Sequence, residues 1–85
     1  MMTDQEFDIL DELYFVKSFT ALKDDLDVKT EPLKEVLGLL IDKSWVGCYA
    51  TPMVGLPVEK VDFEENYLEY FYLATKKGMF EHNSL

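Results

Sequence analysis

Apolar residues recur at helical intervals from the first residues of the chain onward. Phe7, Leu10, Leu13, Tyr14 and the stem of Lys17 share one face, while Asp4, Asp8, Asp11 and Glu12 share the opposite one. Thr3-Asp4-Gln5-Glu6 reads as a capping box, with Thr3 as the N-cap and Glu6 reaching back to it. Ile9 and Val16 widen the apolar arc, so the spacing predicts a helix running to about Lys17 with neighbours on two sides. A short helix over Ala21 to Leu26 follows, capped by Thr20, with Leu22 and Leu26 turned inward. Asp27-Val28-Lys29 makes a turn. Thr30-Glu31-Pro32 then opens a third helix, its proline in the permissive first turn. Leu33, Val36, Leu37, Leu40 and Ile41 fall at i, i+3, i+4, i+7 and i+8, the clearest helical signal in the chain.

After Asp42-Lys43-Ser44 the period changes. Trp45-Val46-Gly47-Cys48-Tyr49 is short and rich in β-formers, and predicts a strand. Pro52, Gly55 and Pro57 mark a loop that continues into the acidic run Glu59 to Glu65. Tyr67 to Ala74 predicts a second strand, and Thr75 caps a terminal helix from Lys76 to about His82. The expected class is α+β, one domain over residues 1–85: three N-terminal helices, a small antiparallel β-wing and a short C-terminal helix.

Helix, short helix, long helix, strand, loop, strand is the order of a helix-turn-helix with a wing appended. Leu33-x-x-Val36-Leu37-x-x-Leu40-Ile41-Asp42-Lys43-Ser44-Trp45-Val46 resembles the third helix and following strand of winged-helix regulators. Tyr72-Leu73-Ala74-Thr75-Lys76-Lys77-Gly78 is similar to the segment in which their second wing strand hands over to a helix. Together these cover most of Thr20 to Gly78. The resemblance implies a winged-helix fold and, by family habit, a third helix that reads duplex DNA. Two positions depart from the pattern. Ser44 stands where the family prefers glycine, which implies a strained or differently built left-handed cap, and Ala74 replaces the usual leucine.

Charge argues against the family's habit. Seventeen acids face eight basic residues, all lysine, for a net charge of −9. Such a chain repels phosphate, and it lacks the arginine that reads guanine edges bidentately. The third helix would present Glu31, Glu35, Gly38, Leu39 and Asp42, with only Lys34 basic nearby, and the wing sets Glu59, Asp62, Glu64 and Glu65 around Lys60. Duplex DNA is therefore not the expected partner of the isolated chain. DNA regulation through a dimer, or beside a basic protein, stands as the alternative reading. A small acidic mimic of DNA charge fits the −9 but not the lysines spread along the chain.

Catalytic chemistry finds no foothold. Asp25-x-Asp27-x-Lys29 resembles the start of an EF-hand loop but puts Lys29 at an acid position, Thr30 at the glycine position and Val36 at the closing glutamate position. Asp8, Asp11 and Glu12 read as the wet face of a helix. His82, the one histidine, reads as surface decoration, and Cys48, the one cysteine, as a small core hydrophobe. No phosphate loop, hydrolase elbow or metal-ligand spacing is present. The expectation is a non-enzymatic domain without catalytic residues, metal or cofactor. The start of the chain has no basic segment before an apolar run, and apolar runs such as Leu39-Leu40-Ile41 fall far short of the roughly 20 residues of a membrane span. With a single cysteine, a cytoplasmic protein with no membrane partner is expected.

Aromatic residues offer more. Strand alternation over Tyr67 to Ala74 puts Tyr67, Glu69, Phe71 and Leu73 on one face and Leu68, Tyr70, Tyr72 and Ala74 on the other. Both faces are apolar beyond Glu69, although a small sheet buries only one. Trp45, Tyr49, Tyr67, Phe71 and Leu73 are thus the candidate interaction surface, for a protein partner or a second copy in a homodimer. Otherwise, the first helix or the Met79-Phe80 segment folds over that face.

Overall fold

The Thr3 capping box forms as written. The Thr3 hydroxyl accepts the Glu6 amide at 3.1 Å, and the Glu6 carboxylate accepts the Thr3 amide at 2.9 Å. The helix it opens, α1 (Asp4–Glu12), ends well short of Lys17. The Leu13 amide closes onto the carbonyls of Ile9 and Leu10, and the Leu13 carbonyl accepts the Ala74 amide at 3.0 Å. Pairing with a distant strand therefore overrides the helical period after Leu13, leaving Tyr14 and Phe15 exposed and Lys17–Ser18 extended as β1. Ser18, not Thr20, caps α2 (Phe19–Leu26), accepting the Ala21 amide at 3.1 Å. Residues 2–84 are described by this computed structural model. It is an α+β fold with five helices and one three-stranded antiparallel sheet among those residues.

The third helix, α3 (Thr30–Asp42), carries the expected inward face, with Leu33, Leu37 and Leu40 buried. It ends on Ser44 at φ 63°, where the Ser44 amide bonds the Ile41 carbonyl and the Trp45 amide the Leu40 carbonyl, both at 2.9 Å. This is a Schellman cap with serine in the glycine position, the strain implied by the sequence. Ser44→Gly is expected to raise stability by about 1 kcal/mol, read as a higher urea midpoint at unchanged slope.

The sheet has the order β1–β3–β2, formed with β2 (Val46–Tyr49) and β3 (Phe71–Ala74). Val46 pairs with Ala74, Cys48 with Tyr72, and Lys17 with Tyr72 from the other side. β3 starts at Phe71, not Tyr67, because Tyr67–Glu69 winds into a 3-10 turn. Its Tyr67 carbonyl accepts the Tyr72 phenol at 2.8 Å. The acidic run expected as loop forms α4 (Lys60–Asn66), whose buried Phe63 meets the core. The last helix, α5 (Lys76–Asn83), is capped by Thr75 as expected. Its hydroxyl accepts the Gly78 amide at 2.9 Å and donates to the Ser44 carbonyl at 2.7 Å, while its amide donates to the Trp45 carbonyl. Leu10, Leu13, Phe19, Leu22, Leu37, Leu40, Phe63 and Tyr72 lie in the core, and α5 adds the partly buried Met79 at its edge.

Glu6 is a buried carboxylate in this frame, reached by Lys43 Nζ at 2.5 Å. Burial by itself raises its pKa, but the hydrogen bonds from Lys43 and from Thr3 outweigh that and hold it below the usual value. The stabilisation is complete above the unfolded-state value of about 4.3 and is lost as pH falls through the lowered folded value. Wild type is therefore expected to lose stability below about pH 4 more steeply than Glu6→Gln, which keeps the capping box but not the charge. Urea melts across that range read the difference.

Candidate functional site

Alternation along β2 and β3 divides the sheet into two faces. Val46, Cys48 and Tyr72 enter the core. Tyr49, Phe71 and Leu73 point the other way, half-exposed and outside the core, with Tyr49 opposite Phe71, Gly47 opposite Leu73, and Ser18 on the far side of Phe71. None of these side chains is charged. Tyr49 lies along this outer face with its ring over Gly47, where a Cβ would come within 2.4 Å of the phenol oxygen. Glycine at 47 thus lets the aromatic ring lie flat on the sheet.

The apolar surface continues beyond the strands. Trp45 to Val58 contains no charged residue, in a chain where 29% of residues are charged. The Val58 amide donates to the Cys48 carbonyl at 2.8 Å and ties the base of the loop to β2. Between these points Met53 and Leu56 stand 82% and 93% exposed, with Val54 also open to solvent.

Of the five residues singled out in the sequence, Tyr49, Phe71 and Leu73 come together and two do not. Trp45 precedes β2 and packs against the core, with Lys43 Nζ 4.6 Å above its ring. Tyr67 belongs to the 3-10 turn, its ring 5.2 Å from Phe19 and 6.2 Å from Phe63. Met79 turns toward the core and Phe80 stays exposed, so that segment is no lid over Phe71 and Leu73. Sequence reasoning missed Met53, Val54 and Leu56. Pro52, Gly55 and Pro57 identify a loop but say nothing of its side chains, whereas the long uncharged interval did carry that signal.

A groove of about 400 Å³ runs between α3 and α4, lined by Glu31, Lys34, Glu35, Leu39, Asp42 and Glu64 among others. Glu31, Glu35, Leu39 and Asp42 are exposed as the sequence suggests, but Gly38 is buried: Phe63 and Lys60 of α4 lie over it. Lys60 pairs with Asp42 at 2.7 Å and Lys34 with Glu64 at 3.4 Å, so the local lysines are spent on neighbouring carboxylates.

No family model, curated protein or solved structure matches this chain.

Burial pushes the Cys48 thiol up to about 11, which keeps it protonated at neutral pH and poor as a nucleophile. The same cause raises the Tyr72 phenol beside it. His82 is no surface decoration: only 7% exposed, it stacks on Phe7 at 4.1 Å between α1 and α5. Its Nδ1 lies 2.9 Å from Asn83 Oδ1, an oxygen that also accepts the Tyr14 phenol. Its Nε2 lies 3.5 Å from an Asp11 carboxylate oxygen. His82 is thus part of a seam between the first and last helices, its ring nitrogens facing Asn83 and Asp11. Among the described residues no group of three or more His, Cys, Asp or Glu side chains is placed to hold a metal ion. No helix there is long and apolar enough to cross a membrane.

Proposed function

We propose that this chain is a non-enzymatic, winged-helix-like protein-interaction module, working in the cytoplasm, whose partner is a second copy or a basic protein. One observation carries the reading. An uncharged apolar surface extends from the outer sheet face into the loop at 51–58, on a chain of net charge −9. Protein contact is the use that suits such a surface, because aromatic and aliphatic side chains free of charge populate the centres of protein interfaces.

The winged-helix part is supported by the order of α1, α2, α3, β2 and β3, by the left-handed cap at Ser44, and by Thr75 capping the helix after the wing. The same frame argues against DNA. α4 lies over Gly38 on the face that would enter a major groove, and Glu31, Glu35, Asp42 and Glu64 border it. A mobility-shift titration with mixed-sequence duplex near physiological salt is expected to show no complex up to about 10 µM protein. Sub-micromolar binding that weakens with salt would replace this reading with that of a DNA regulator.

A further inference from the structure

The uncharged outer face has unlike ends. Where β2 begins and β3 finishes, the chain enters α5 through Lys76 and Lys77, both exposed and without an ion-pair partner among the described residues. Where β3 begins, the preceding 3-10 turn carries exposed Glu69, and the apolar loop at 51–58 leaves from the same end, after Tyr49. Basic residues thus flank one end of an apolar strip, and an acid with a hydrophobic loop flanks the other.

We propose that this face is the interface of a twofold homodimer whose axis lies in the plane of the face and across the strands. The proposal rests on the interaction-module reading and names its partner. Such an axis turns one face onto the other and reverses the strands, so Lys76 and Lys77 of each copy meet Glu69 of its mate. It also brings each loop, with Met53 and Leu56, over the Leu73 end of the opposite sheet. An axis along the strands would instead set Glu69 against Glu69 and lysine against lysine. Charge therefore selects the register. The strip itself carries no charged side chain, so two chains of net charge −9 can approach there without bringing carboxylates together.

Sedimentation equilibrium of the whole chain up to about 100 µM tests it. Wild type is expected to dimerise with a micromolar Kd, and Leu73→Asp, outside the core, to be monomeric with an unchanged circular dichroism spectrum. Glu69→Lys alone, and Lys76→Glu with Lys77→Glu together, are each expected to raise Kd about tenfold or more. An equimolar mixture of those two variants should recover the wild-type Kd, since every charge then meets its opposite. A wild-type monomer at the highest concentration would overturn the proposal and give the face to a different protein. A dimer indifferent to Leu73→Asp, or swaps that fail to complement, would overturn it as well. The duplex titration on the same samples judges the interaction-module reading separately, so the two failures are told apart.

Discussion

Phe63→Ala is expected to cost about 3–5 kcal/mol, the range for deleting a fully buried aromatic side chain. Phe63 is completely buried, although it sits in a short helix whose other apolar residue, Val61, is mostly exposed. Its ring meets Tyr72 edge-on at 6.1 Å, lies 6.2 Å from Tyr67, and covers Gly38 of α3. A seven-residue helix has too few hydrogen bonds to persist alone, so losing this anchor should free α4 from α3. Two measurements check it. The urea midpoint should fall, and amide exchange across residues 60–66 should accelerate beyond the global loss. Val61→Ala, on the exposed side, should stay within about 0.5 kcal/mol of wild type.

Gly78→Ala should cost about 2–3 kcal/mol despite alanine's better helix propensity. A Cβ there would lie 2.1 Å from the Trp45 carbonyl oxygen, and that oxygen is backbone fixed by the Thr75 amide. Neither side can yield without lifting α5 from the start of β2. The move would also break the bond from the Gly78 amide to the Thr75 hydroxyl. A thermal melt reads the loss. A change indistinguishable from wild type would mean that α5 does not approach β2 this closely.

Much of the fold was legible because it follows local rules. The Thr3 and Thr75 caps and the inward face of α3 are written in spacings of three and four residues, and β2 in a cluster of β-formers. What escaped depends on distant partners. α1 stops at Glu12 because the Leu13 carbonyl pairs with Ala74, which no local period can announce. β1 has two residues, too few to alternate, and α4 has a single buried residue, too few to show a stripe. Tyr67 looked like strand because aromatic residues favour sheets, yet its carbonyl is held by the Tyr72 phenol in a 3-10 turn. At the candidate site, Tyr49, Phe71 and Leu73 followed from alternation alone, whereas Trp45 left that face through packing that alternation does not encode.

The seam between α1 and α5 has a kinetic consequence. His82 on Phe7 and Tyr14 on Asn83 join segments separated by nearly the whole chain, the costliest kind of closure for a folding polypeptide to make early. The pairing of β2 with β3, together with α3, can assemble first, through contacts nearer in sequence. Helix α5 is then expected to dock on an already formed body, after the rate-limiting barrier. Loosening the seam, as by Phe7→Ala, should leave the folding rate almost untouched and appear as faster unfolding, so the last helix sets how long the native state survives between openings.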